Sequence, residues 1–580
     1  MVTSMVSIAA IVAGVLTSTT VSSAAWNDTE FDHGDVTALN CATNTDLASR
    51  ARGRFLTGTV LTANLDTIAG LQGVTVSNDG TTVTHSSGAT AGSAPDSWGQ
   101  GIAATALAGI VNAEIGPLTL PLNQGTGTLN QYGEAHDTGK SRGASGAVTS
   151  EGAIDTSAVT AGTAGTVGTL SLSTLPGIGS TLAGLADVGV EVGAVAAVAN
   201  LDGCAQAWSG ASTPSATQLQ RSYLVSSLKA KATSPVVGAV FGSTVPTAVN
   251  GISTTLNTLI GASGADNGTA ETSVASAALA SLDSAIAGIL GNIDLGVIAL
   301  GVGTGAKSTG ITVDLAPVTA ALTGSVTDGV VTTNLATGAI TVDINALTGG
   351  LNTQLPNTRV LTAAQLDDVT LRVKALLVAR TTYVNTLLET ALANATIVVK
   401  LDSFVTTRLL TTTVVGLKVH VEYSGTLAEF RAGTANYSGP TITNEDTSIL
   451  GGVLGLVTGP LNLLLPPLVS GTVRTAVQTA LNTNLFTPVN GLIVSTLNTA
   501  TTAVNTATAV LDPLLDVLGG ILDLRLNVRP DVTPFPNRPF AGSVGEYYQS
   551  ALAITVLGSV GGPSILQLHL ANASVGPNAH

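Results

Sequence analysis

Three stretches of the chain bring together residue types from which a reactive or binding site could be built. Gly301–Thr309 (GVGTGAKST) combines glycines, a lysine and hydroxyls, the ingredients of a loop that cradles phosphate. The spacing fails for that chemistry, because Ala306 separates Gly305 from Lys307 and also occupies the third glycine position of a dinucleotide fingerprint. A flexible hairpin tip between strands is expected there instead. Asp28, Glu30 and Asp32 stand at alternate positions, as at the start of a calcium loop. Gly34 falls one residue late and Leu39 takes the place of the bidentate glutamate, so a strand with acids on one face is expected, with calcium as the alternative. Gly133–Ser141 gathers Glu134, His136, Asp137, Lys140 and Ser141, groups suited to acid–base work and equally to a solvated polar loop.

The remaining chemistry-bearing residues form no constellation. His33, His85, His136, His420, His569 and His580 show no HExxH or paired-ligand spacing. No GxSxG elbow occurs, and the GASGA runs at Gly143 and Gly261 have the wrong spacing for one. The sequence therefore assigns no catalytic, cofactor-binding or metal-ligating residue. Leu355-Pro356-Asn357-Thr358 matches the core of a wall-sorting signal, but Arg359 stands where the cleaved bond needs glycine. Pro356 and Asn357 instead supply turn chemistry ahead of a capping box at Thr362. The two cysteines, Cys41 and Cys204, are a candidate disulfide, with two buried free thiols as the alternative. Closing a loop of about 160 residues would contribute on the order of 4–5 kcal/mol in the chain-entropy model.

Composition constrains the elements that must position these residues. Charged residues make up 10% of the 580-residue chain and aromatics 3%, so each buried side chain contributes a small area at roughly 25 cal/mol per Å². A long, thin-walled core summed over many modest contacts is expected. With a net charge of -15 and its first basic residue at Arg50, the chain lacks the cationic patches that nucleic acid requires. The apolar run Met5–Leu16, followed by small residues with Ser23 and Ala25 at the -3 and -1 positions, predicts a signal peptide over 1–25, cleaved before Trp26. Its n-region, MVTS, carries no Lys or Arg.

Periodicity divides the rest. Residues 26–235 read as a β-rich region, including a hairpin over Gly73–Ser87 that turns at Asn78-Asp79-Gly80. Arg221–Pro235 reads as one alternating strand. A helical insertion over 236–290 follows, then β hairpins over 291–347 and a helical segment over 348–394. In that segment Leu366, Val369, Val373, Leu376, Leu377, Val384, Leu387 and Leu388 share one face. Residues 395–448 are β-rich, 449–520 a second helical insertion, and 521–580 strands that complete the β body. Ser448–Val473 is uncharged and long enough to span a membrane, but its prolines favour a buried helix-turn-helix. The predicted class is mainly β with inserted helices (α+β): an elongated β-sandwich-like body with two or three helical insertions.

Several stretches resemble one family. They are AWNDTEFDHGDVTALNC (25–41), the run 48–81, NQYGEAHDTGKSRGASGAVTSEGAI (130–154), the run 327–362, and the ending that begins at Tyr547. Together they resemble the choice-of-anchor G surface proteins of high-GC Gram-positive bacteria. The resemblance implies an exported β-rich ectodomain with helical insertions, followed by a variable anchoring tail, and it implies no catalytic residues. Only Ala579 and His580 follow Asn578, so free secretion or non-covalent wall association is expected rather than anchoring. The reading is a secreted or surface-associated, non-enzymatic structural or adhesive protein. Cell-wall polymer, glycan or self-association are its expected partners, with no nucleic acid and no integral membrane span in the mature chain. The rival readings are a secreted hydrolase with dispersed carboxylates and a membrane-interacting module built on the Leu450–Leu518 helices.

Overall fold

Residues 49–60 alternate small side chains with Arg50, Arg52 and Arg54 before Phe55 and Leu56, and they form the strand on which the fold closes. A computed structural model describes Cys41 and residues 46–61, 63–67, 72–101, 118–119, 130–156, 168–175, 177–182, 184–260, 274–295, 298–409, 412–445, 451–532 and 544–578. The predicted signal peptide over 1–25 and the acids Asp28, Glu30 and Asp32 lie outside the described residues, as do His33 and His580. The architecture is α+β: four antiparallel sheets, 39% strand and 38% helix, distributed along Thr45–His580.

The first sheet joins the two ends of the chain. Ser49–Val60 pairs with Ser564–Val575 from Ala51↔Val575 to Val60↔Leu566, and Tyr547–Leu557, Leu522–Val528 and Thr358–Val360 extend the sheet outward. The hairpin Val74–Asn78/Val83–His85 lies on the other side of Ser49–Val60, as predicted. Its turn is held by Asp79 Oδ1, which accepts from the amides of Thr81 (2.9 Å) and Thr82 (2.7 Å). Gly80, at φ +95°, supplies the left-handed residue.

A second sheet, ordered Leu219–Val225, Val195–Asp202, Lys140–Gly146, Asn130–Ala135, Ser97–Gly101 and Thr90–Ala91, packs face to face on the first. Packed sheets usually sit about 10 Å apart because side chains fill the gap. Here glycines let backbone meet backbone. A Cβ on Gly53 would stand 2.1 Å from Ala144 O, and one on Gly143 would stand 2.3 Å from Arg52 O. Polar groups close this seam. Gln131 Oε1 accepts from the Phe55 amide at 3.0 Å, and the Ser145 hydroxyl donates to Arg54 O and Asn572 O. Low aromatic content thus has a structural outlet in a sandwich packed through small and polar residues.

Arg221–Pro235 is two strands, not one. Leu219–Val225 lies in the second sheet, whereas Leu228–Thr233 lies in a third, seven-stranded sheet. Its hairpin partner divides in the same way, with Ala186–Val192 in the third sheet and Val195–Asp202 in the second. The ribbon crosses between sheets at Gly193 and Ser226-Ser227, where Gly193 N donates to Ser227 O (2.9 Å) and Ser226 N to Ala194 O (2.8 Å). A Cβ on Gly193 would sit 2.4 Å from both serine hydroxyls, which is why the crossing uses glycine. Period-two alternation continues through the corner and conceals it.

The fourth sheet is ordered Ile298–Thr312, Thr396–Leu409, Thr412–Thr426 and Asn436–Asn444. The glycine-rich run 301–309 is the middle of its 15-residue edge strand rather than a flexible tip. A bulge between Gly303 and Ala306 absorbs the irregular spacing, and Lys307 Nζ reaches Ser276 Oγ at 2.5 Å.

Helices cover this sheet and fill the rest of the core. Val245–Ile260 and Val274–Leu290 occupy the predicted insertion. Ala363–Ala393 begins at the expected box, with Gln365 Oε1 accepting from the Thr362 amide at 2.9 Å. Its predicted face is buried at Leu366, Val369, Val373, Leu377, Val384 and Leu388, with Leu376 and Leu387 partly buried against the core. The prolines of the last insertion do not break it. Residues 451–521 form one helical run: Gly451–Leu468, a π segment Val469–Val473, Arg474–Leu481, a second π segment Asn482–Phe486, and Thr487–Ile521. The expected helix-turn-helix is therefore absent. Pro460, Pro466, Pro467 and Pro513 all lie off the fully buried stripe, so the carbonyls they leave free face the wetter side. That stripe (Leu454, Val457, Leu461, Leu465, Val469, Val473 and onward) joins the main core. Pro235–Ile260 and Leu454–Ile521 are long and apolar enough to cross a membrane by length and composition.

Candidate binding groove

The structure brings some of the flagged residues together and separates others. Glu134, on the interior strand Asn130–Ala135, meets His136 just beyond the end of that strand, with His136 Nε2 at 2.5 Å from Glu134 Oε1 and Nδ1 at 3.5 Å from Asp96 Oδ2. Tyr132 OH donates to Glu134 Oε2 at 2.9 Å. The hydrogen bond to Glu134 raises the His136 pKa against the opposing effect of burial, and the Asp96 carboxylate adds to the rise. Burial would raise Glu134, but its bonds from His136 and Tyr132 outweigh that and hold it below its ordinary range. Lys140 and Ser141 lie on the adjoining strand Lys140–Gly146, Lys140 exposed and Ser141 buried. The other described histidines are apart: His85 stacks on Trp98 (4.8 Å), His420 Nδ1 bonds Asp402 Oδ1 (2.6 Å), and His569 is buried. No group of three or more His, Cys, Asp or Glu among the described residues is arranged to hold a metal ion.

Leu355–Thr358 is a turn. Leu355 is exposed, while Asn357 is buried at φ +61°, donating to Arg529 O (3.1 Å) and Val532 O (2.8 Å). Arg359 then enters an edge strand and pairs with Asp523 at 3.3 Å. Cys41 and Cys204 are disulfide-bonded, and neither is free. Cys204 is fully buried in the helix Gly203–Ser209, which Asp202 caps by accepting from the Ala205 amide at 3.0 Å.

A candidate site for a ligand lies where no sequence spacing announces one. After the strand Thr412–Thr426, Thr426 and Glu429 form a capping box (Thr426 N to Glu429 Oε2, 2.7 Å), which starts the short helix Leu427–Ala432. Leu427 and Phe430 turn into the core and Gly433, at φ +71°, ends the helix, leaving Arg431 outward. Facing it is the second π segment of the long helical run, Asn482–Phe486. A π segment adds a residue to the turn and re-aims the side chains beside it, and such insertions gather at functional sites. Here it sends Leu485 and Phe486 into the core while Asn482 and Thr487 stay exposed.

Between these elements lies an open groove of about 410 Å³, lined by Phe430, Arg431, Gln478, Thr479, Asn482, Phe486, Thr487 and Asn490. The Arg431 guanidinium lies over the Phe486 ring, 5.1 Å from its centroid, and donates to Asn490 Oδ1 at 3.1 Å. Gln478 Nε2 donates to Phe430 O at 3.4 Å, and Arg474 pins the hairpin end through Gly433 O (2.5 Å) and Ala435 O (2.8 Å). The lining holds amides, hydroxyls and one guanidinium, and no carboxylate. Such a surface offers many donors and acceptors but no base to activate a nucleophile. Its amides and hydroxyls can exchange hydrogen bonds with a polar ligand.

Residues 51–576 match the family described as a domain of unknown function (DUF8394), and the chain belongs to that family. No curated protein and no solved structure matches the chain.

Proposed function

We propose that this family member is an exported, surface-associated protein that binds rather than catalyses, a structural or adhesive module whose ligand is a hydroxyl-rich glycan such as a cell-wall polymer. The groove carries the reading. Gln478, Thr479, Asn482, Thr487 and Asn490 present paired amides and hydroxyls at one open surface, the groups that exchange hydrogen bonds with vicinal sugar hydroxyls. Two further features support it. The Cys41–Cys204 bond belongs to an oxidising compartment, and several stretches resemble those of choice-of-anchor G surface proteins.

The test is co-sedimentation of the purified chain with insoluble cell-wall polysaccharide, alongside an assay for newly formed reducing ends. Saturable binding without turnover is expected. Release of reducing ends would make the protein a hydrolase, and absence of binding to every wall fraction would remove the glycan reading.

A further inference from the structure

We infer that the groove's ligand is an acidic glycan, and that Arg431 takes the carboxylate or phosphate of one sugar unit while the neighbouring amides and hydroxyls take its hydroxyls. This rests on the glycan reading above and specifies its chemistry. The guanidinium is already placed. Phe486 supports one face of it and Asn490 Oδ1 accepts from one terminal nitrogen, so the planar fork is oriented while most of its N–H donors remain open to the groove. Bidentate capture of an oxyanion needs that arrangement, and pre-orientation spares the rotamer entropy that a free arginine loses on binding.

The charges around Arg431 favour an anion there. Acidic residues outnumber basic ones 36 to 21 across the chain, yet none lines this groove. The acid nearest in sequence, Glu429, is turned back to cap Thr426, its Oε2 accepting from that amide at 2.7 Å. Arg431 forms no ion pair among the described residues, whereas Arg52, Arg54, Arg221, Arg359, Arg372 and Arg525 all do. Arg474, bonded to the Gly433 and Ala435 carbonyls just past the helix that carries Arg431, adds a second positive charge. An acidic polymer would be drawn to this locally positive surface against the net negative charge of the chain.

The experiment compares polymers of one backbone and different charge. Affinities of the full chain for polygalacturonate and for its methyl ester are measured calorimetrically, with a phosphodiester-linked sugar polymer as the phosphate arm. The wild type is expected to bind at least one acidic polymer about tenfold or more tightly than the ester, and to lose that margin as salt rises. Which acidic arm binds identifies carboxylate or phosphate. Arg431→Gln is expected to abolish the margin and Arg431→Lys to recover part of it, since a point charge lacks the fork. Arg431 is exposed, so an unchanged thermal midpoint in both variants separates loss of binding from loss of fold. Equal affinity for acid and ester, or an unaltered margin in Arg431→Gln, would overturn the acidic-sugar assignment and leave a neutral-glycan site standing. Binding to none of the three polymers would overturn the acidic-sugar assignment, while the wall co-sedimentation decides the glycan reading itself.

Discussion

Ser145 and Asn572, 427 residues apart in sequence, are joined by a hydrogen bond of 2.8 Å from the serine hydroxyl to the asparagine carbonyl across two packed sheets. Both residues are fully buried. The same hydroxyl lies 3.0 Å from Arg54 O, so one small side chain serves carbonyls from the first and last strands of the body. Nearby, Glu546 accepts from Ser574 Oγ (2.6 Å) and Tyr548 OH (2.8 Å). The seam is held by hydrogen bonds and close backbone approach where most sandwiches interdigitate apolar side chains.

Gly143→Ala is therefore expected to cost about 3 kcal/mol, because its Cβ would meet the Arg52 and Ser574 carbonyls at 2.3 and 2.6 Å. Ser145→Ala is expected to cost about 1–3 kcal/mol by leaving buried acceptors unmet. Gly310→Ala, with no atom near the new methyl, serves as the neutral control. Urea unfolding measures all three, and a Gly143→Ala midpoint matching the control would refute the close-packed seam.

The disulfide gives a second expectation. In the chain-entropy model, Cys204→Ser should lower stability by about 5 kcal/mol. Reducing agent should produce the same fall in thermal midpoint in the wild type and none in the variant. A wild-type midpoint indifferent to reductant would show that the bond contributes nothing to stability.

Two histidines set opposite limbs of the stability–pH profile. His136 is raised above its ordinary 6.5 in the folded chain, so its contribution is complete below that pH and is lost as pH climbs through the raised value. Its partner Glu134 is lowered from 4.5, so that contribution holds above 4.5 and fades only as pH falls through the depressed value. Burial pushes His569 down to about 4, so the folded state disfavours the proton that the unfolded chain takes up. Its contribution is present above pH 6.5 and falls by about 3 kcal/mol as pH drops to about 4. Thermal midpoints between about pH 4 and pH 9 should thus peak near the ordinary histidine value. His136→Gln is expected to flatten the alkaline limb and His569→Gln the acid limb. An alkaline limb that persists in His136→Gln would contradict the Glu134 pairing.

Much of the fold was legible in the sequence because its elements carry local periodicity. Leu522–Val528, Tyr547–Leu557 and Ser564–Val575 fall in the predicted C-terminal strand region, and the helix from Ala363 follows its capping signal. The failures share one cause, since each depended on what a segment packs against. Glycine-rich 301–309 reads as a loop until Thr396–Leu409 pairs along it. The prolines of 451–521 read as breaks until the buried stripe is seen to run past them. The groove was illegible altogether. Arg431 and Asn490 are 59 residues apart, on a short helix and a π-shifted one, and no spacing rule joins them.

Hydrogen–deuterium exchange of the chain with and without a bound acidic polysaccharide locates the binding surface. The groove account predicts slowed exchange confined to the segments around Phe430–Gly433 and Gln478–Asn490, abolished in Arg431→Gln. Protection centred elsewhere, or retained in the variant, would contradict it.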